Sequence, residues 1–207
     1  LVLWLGGIRF EVRGEENLPR GRACVYMSNH QSNLDPPMLF LLLPPRIAMM
    51  GKIQVFSVPV LGEAVRLADF VPVDRDNPEE ARKSVEEALP RLRRGVSFLV
   101  FPEGRRSWDG RLLRFKHGVF LLAIRAGVPI VPITVDGVTD AMPKGKWEIY
   151  PGRAQVTIHP PIETRGMQEG DRARLAQQVR TIVDSALSPE LRDPELTTAA
   201  ATPPRQG

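Results

Sequence analysis

The chain has 207 residues, 43% of them hydrophobic and 25% charged, enough for one packed domain and too apolar for a disordered chain. A single cysteine excludes a disulfide framework and a cysteine-built zinc site, and three histidines with no short spacing between them argue against a histidine-built metal centre. The net charge of +4 gives only a weak general attraction for anions, and no run of about 18 or more apolar residues offers a transmembrane helix.

The sequence opens on Leu1 rather than Met, and Leu1–Leu5 reads as the end of a longer apolar segment removed upstream. Strands are predicted at Ile8–Val12 and Cys24–Ser28. Asp35-Pro36-Pro37 then opens a short apolar helix, because Asp suits a cap and proline is tolerated in a first turn. Ile47–Met50 and Phe70–Val73 are the next strands. Asn77-Pro78-Glu79-Glu80 starts a helix with Val85, Leu89 and Leu92 on one face, and Pro90 is expected to kink or end it. After a strand at Val96–Phe101, Val119–Ala126 is a helix apolar nearly all round, stopped by Gly127 and Pro129. Strands at Ile130–Val135, Trp147–Tyr150 and Gln155–His159 precede a last helix, capped by Asp171, with Leu175, Val179, Ile182, Val183 and Ala186 on one stripe. Near-continuous apolar strands alternating with helices predict an α/β domain over residues 1–187. Residues 188–207, rich in Pro, Thr, Ala and charge, read as a disordered tail.

Two segments carry the chemistry. Asn29-His30-Gln31-Ser32-Asn33-Leu34-Asp35 crowds polar groups at the end of a buried strand, where open α/β sheets place their ligands. A histidine beside a carboxylate is the minimum equipment for general base catalysis. Pro36 and Pro37 have no N–H for Asp35 to cap, which leaves at least one of its oxygens for His30. The spacing alone equally fits a polar loop with a capping Asp and a surface His.

The second segment is Phe101-Pro102-Glu103-Gly104-Arg105-Arg106-Ser107. Between Arg91 and Lys116 stand eight Arg or Lys against two acidic residues, so the basic charge is local. Arginines beside a glycine turn suit a phosphate, whereas Arg91, Arg93 and Arg94 fit a solvated basic face as well. Glu103 has the chemistry to hold one arginine or to bind a substrate hydroxyl. Phe70–Arg75 ends another strand on an arginine, and Val128–Ile133 carries prolines that fit an irregular strand near a groove.

In this order the blocks resemble the glycerolipid acyltransferase family, above all the bacterial 1-acylglycerol-3-phosphate acyltransferases. His30–Asp35 is similar to that family's His-x4-Asp motif, Phe70–Arg75 to its second block, Phe101–Ser107 to its Phe-Pro-Glu-Gly-Thr-Arg-Ser block and Val128–Ile133 to its proline-containing block. The likeness runs from about Ile8 to Pro161. It implies a mixed, largely parallel central sheet flanked by helices, as in glycerol-3-phosphate acyltransferases. It further implies acyl transfer from a thioester, of coenzyme A or of acyl carrier protein, to the hydroxyl of lysophosphatidic acid. By that analogy His30 is the general base and Asp35 orients it. Glu103, Gly104, Arg106 and Arg75 seat the glycerol phosphate, with Lys52 and Lys116 as further basic contacts. No metal and no cofactor beyond the thioester co-substrate is implied.

Arg105 departs from the family's usual threonine and leaves room for another acceptor: glycerol-3-phosphate, a lysophospholipid or a lyso-ornithine lipid. A non-catalytic lipid-binding module is the reading outside the enzyme class, and the intact His30–Asp35 pair argues against it. Nucleic acid is not an expected partner, because aromatics are not interleaved with the arginines. Two amphipathic substrates imply work at a membrane surface, on the cytoplasmic face of a bacterial inner membrane, held peripherally or through a segment upstream of Leu1. The Ile53–Leu67 stretch fits core packing, an acyl groove or a membrane-facing patch.

Overall fold

The structure, a computed structural model, describes residues 2–5, 7–74, 77–142, 148–194 and Leu196. Among the described residues eight strands form one sheet: β1 (Val2–Leu5), β2 (Ile8–Arg13), β3 (Val25–Ser28), β4 (Ile47–Lys52), β5 (Val71–Val73), β6 (Ser97–Val100), β7 (Ile130–Asp136) and β8 (Gly152–Ile158). Their order is β1-β2-β8-β7-β3-β6-β4-β5. β3 to β7 all run parallel, whereas β8 is antiparallel to β7, and β1 to β2. The expected mixed, largely parallel sheet is therefore present.

Among the described residues there are six α-helices, α1 (Asp35–Leu42), α2 (Leu61–Leu67), α3 (Pro78–Arg93), α4 (Phe120–Ala126), α5 (Val138–Ala141) and α6 (Arg172–Ser185), of which all but α2 close the faces of the sheet. Successive side chains of a strand point to opposite faces, so β3 sends Val25 and Met27 to one core and Tyr26 to the other. The first core is closed by α3, α4 and α6, through Val85, Leu89, Leu122, Val179 and Val183 among others. The second is closed by α1 and α5, through Met38, Leu39, Val138 and Ala141. Buried on both faces, β3 has no room for the alternation seen in β2, where Ile8, Phe10 and Val12 are buried and Arg9, Glu11 and Arg13 face water.

Several expectations are corrected. Residues 148–150 form no strand, and Trp147 lies outside the described residues. Of the two outcomes expected at Pro90, a kink or an end, the end is excluded, since α3 continues to Arg93. Asp171 does not cap α6 with its side chain; it accepts from the Gln168 amide at 2.8 Å, closing the 3-10 turn that precedes the helix. The chain after Leu187 does not leave the domain at once: Ser188 bonds Asp136, Pro189–Leu191 forms a 3-10 turn and Leu196 is buried. Residues 197–207 of the expected tail lie outside the described residues.

Candidate active site

Because β3, β6 and β4 are adjacent and parallel, the loops leaving their C-terminal ends meet at one edge of the sheet. Asn29 leaves β3 first. Its side chain donates to the Val135 carbonyl at 2.7 Å and accepts from the Val135 amide at 2.8 Å, which pins the turn to β7. His30 follows with its ring stacked on Phe101, centroids 4.2 Å apart.

Asp35 is wholly buried, and its Oδ2 accepts from the Gln31 amide at 2.7 Å and the Ser32 amide at 2.8 Å. The same oxygen lies 2.8 Å from His30 Nδ1. An oxygen already accepting two N–H groups is an acceptor toward the ring as well, so Nδ1 carries the proton. The lone pair of Nε2 is then the one available to a substrate hydroxyl.

Glu103, in the turn that follows β6, stands differently from its expected role. Only 4% of it is exposed, and its oxygens accept from the His30 amide at 2.8 Å and the Leu113 amide at 3.2 Å. It faces the backbone of the site, so it holds His30 in place rather than meeting a phosphate. Burial pushes its carboxyl up to about 8, the two amides pull back, and nearby Asp35 adds to the rise. Ser107 completes the clamp, its amide donating to the His30 carbonyl at 2.9 Å.

Beside the pair lies a cavity of about 550 Å3 walled by Met50, Val73, Val85, Val100, Phe101 and Leu121. Phe101 is shared between the cavity and the His30 stack. Gly104 and Lys116 stand at its mouth with the exposed Arg82, His117 and Arg172. Gly104 has φ +74, a backbone conformation that favours glycine, and the Lys116 side chain lies against it.

The structure thus brings His30, Asp35, Glu103, Gly104 and Lys116 together. Arg106 is half-buried in the same loop, and Arg105 is exposed. Lys52 is exposed at the end of β4 and does not line the cavity. Arg75 lies outside the described residues. Sequence reasoning placed Asn29 and Phe101 at the heads of the two motif segments but gave neither a role in the site. The only signal was position, a polar side chain closing one apolar strand and an aromatic closing the next. Among the described residues no group of three or more His, Cys, Asp and Glu is placed to hold a metal ion, and no helix is long and apolar enough to cross a membrane.

A model of the acyltransferase family matches residues 9–136. The chain is 38% identical over 165 residues to a 1-acyl-sn-glycerol-3-phosphate acyltransferase of Limnanthes alba, covering 79% of this chain and 58% of that protein. It is also 38% identical over 180 residues to the alpha 1-acyl-sn-glycerol-3-phosphate acyltransferase of Bos taurus, covering 86% of this chain and 63% of that one. It therefore spans about three fifths of the length of these curated relatives. Among solved structures, the crystal structure of the 1-acyl-sn-glycerophosphate (LPA) acyltransferase PlsC from Thermotoga maritima matches with a TM-score of 0.75 at 28% identity, over 95% of this chain and 74% of that one. The family match takes in both the strand end that carries His30 and the one that carries Glu103, and on that ground the chain belongs to the acyltransferase family.

Proposed function

We propose that this chain moves a fatty acyl group from an acyl thioester, of coenzyme A or of acyl carrier protein, to the free hydroxyl of 1-acylglycerol-3-phosphate, giving phosphatidic acid. The observation that carries the reading is the 2.8 Å contact between His30 Nδ1 and the buried Asp35. The names of the relatives support the substrate class. The cavity beside Phe101 supports an acyl chain: its wall is apolar and its volume falls in the usual range for ligand sites.

His30 Nε2 takes the proton of the acceptor hydroxyl as its oxygen attacks the thioester carbonyl. The tetrahedral intermediate collapses with loss of the C–S bond, and the imidazolium returns the proton to the leaving thiolate. Asp35 fixes the tautomer and stabilises the ring while it is charged. A thioester is already activated, so a positioned base and aligned substrates account for most of the chemistry. The acceptor's phosphate is an orienting handle for Gly104, Arg106 and Lys116, with Arg75 and Lys52 as further contacts. No metal enters this scheme. The setting is the cytoplasmic face of a bacterial inner membrane, with peripheral attachment.

The test is thiol release from acyl-coenzyme A with and without lysophosphatidic acid. Acceptor-dependent release is expected, reduced on the order of 10^2- to 10^4-fold in His30→Ala. Asp35→Asn keeps an oxygen for the Gln31 and Ser32 amides, so it is expected to fold with KM little changed and kcat greatly lowered. Release without acceptor would make the protein a thioesterase, and full activity in His30→Ala would move the base elsewhere. Parallel arms with glycerol-3-phosphate, headgroup-bearing lysophospholipids and lyso-ornithine lipid test the acceptor, for which the exposed Arg105 is the reason.

A further inference from the structure

The segment after β4 puts its apolar residues on the outside. A 3-10 turn (Ile53–Ser57) leads into α2, and only Phe56 and Val65 of its large side chains are buried. Ile53, Val58, Val60, Leu61 and Leu67 are exposed, Val60 at 84% and Leu67 at 87%. The backbone that presents them is held by local contacts. The Gly62 amide donates to the Val58 carbonyl at 2.7 Å, and a Cβ on Gly62 would stand 2.3 Å from the Phe56 carbonyl oxygen. Arg66 donates to that same oxygen at 3.0 Å.

Val60, at the tip, has φ 65 and ψ −52, and the Leu61 amide donates across it to the Pro59 carbonyl at 2.7 Å. This is a γ-turn of the rare positive-φ kind, strained for any L-residue and most of all for a β-branched one. Glycine would sit there without strain. A branched apolar side chain is instead held in water, 84% exposed, at a conformational cost.

The ridge stands where it matters. It leaves β4 at the edge where β6 gives rise to the loop bearing Trp108, whose indole is 73% exposed, and where β3 gives rise to His30. Residues 52–67 and 103–117 carry seven Lys or Arg against three Asp or Glu, and Lys52 and Arg105 are exposed beside the apolar groups. Branched apolar side chains and an indole within a cationic border match the interface of an anionic bilayer, where apolar groups enter the acyl boundary and basic ones meet headgroups.

We propose that the Val60 ridge and Trp108 form the surface by which this protein docks on anionic lipid bilayers, with the mouth of the His30 site turned to the lipid. The orientation toward substrate rests on the acyl-transfer reading; the docking itself does not.

The test is co-sedimentation of the full chain with phosphatidylcholine vesicles, with and without phosphatidylglycerol, together with thermal melting of each variant. Binding that requires phosphatidylglycerol is expected. Val60→Gly is expected to melt higher than the wild type, because the turn is relieved, and yet to bind about tenfold more weakly. Trp108→Ala is expected to weaken binding by a similar factor. With short-chain monomeric substrates Val60→Gly should keep the wild-type rate. Wild-type protein that ignores anionic vesicles overturns the proposal, as does Val60→Gly that binds them as well as wild type. Val60→Gly that keeps vesicle binding but loses binding to an acidic carrier protein assigns the ridge to a protein partner instead. Vesicle binding with no acyl transfer leaves the docking surface standing and removes the acyl-transfer reading.

Discussion

A carboxylate in the first turn of a helix ordinarily turns to that helix's own amides, but Pro36 and Pro37 give Asp35 none to cap. Its oxygen goes back to Gln31, Ser32 and the His30 ring, so a feature written in the prolines becomes the geometry of the His30–Asp35 pair. That much was legible in the sequence. The part taken by Glu103 was not, since a Pro-Glu-Gly turn reads the same whether the carboxyl faces substrate or backbone. Its burial has a consequence for stability. With a folded value of about 8 against an ordinary 4.5, Glu103 keeps its proton in the folded state while losing it in the unfolded chain. Between those values the folded state binds more protons, so stability falls as pH rises from about 4.5 to about 8. Thermal melts across that window should show the fall in the wild type and a flatter profile in Glu103→Gln. An identical profile in the variant would mean that Glu103 titrates in the fold as it does in water.

At the scale of elements, the sequence located the buried parallel strands well, because a run covered on both faces must be apolar throughout and turn residues mark its ends. It located α3 by Asn77, whose side chain accepts from the Glu79 amide at 3.0 Å and the Glu80 amide at 3.3 Å. It did not find α2, a two-turn helix whose exposed leucines break the amphipathic pattern, nor the antiparallel pairing of β1 with β2. It left two outcomes at Pro90, a kink or an end, and the helix does not end there. A proline deprives the helix of one hydrogen bond, to the Glu86 carbonyl, but the packing of Val85, Ala88, Leu89 and Leu92 on the sheet carries α3 through it. Since Pro90 is exposed, Pro90→Ala can restore that bond without opening a cavity in the core. The variant should be more stable by about 1–3 kcal/mol in denaturant unfolding. Destabilisation would show that the helix is bent at this point in a way alanine cannot follow.

At the scale of the whole molecule, composition misled most at the C-terminal segment. Pro, Thr, Ala and charge are what a solvated tail is made of, and sequence pattern cannot reveal that one aspartate in it answers a buried arginine 13 positions earlier. Arg180, 7% exposed on α6, pairs with Asp193 and donates from Nε to the Leu113 carbonyl at 3.2 Å. Leu113 in turn donates its amide to Glu103, and Glu103 accepts the amide of His30. The segment after α6 is therefore tied through four hydrogen-bonded steps to His30. Asp193→Ala leaves the guanidinium buried without its carboxylate, a loss of about 3 kcal/mol or more, or roughly 6–12 °C in melting temperature for a domain of this size. Because Arg180 then has reason to move toward water and release the Leu113 carbonyl, the loss should extend to the site, with kcat falling more than KM rises. A variant that melts and turns over as the wild type does would show that the Arg180–Asp193 pair contributes nothing to the domain or to the site.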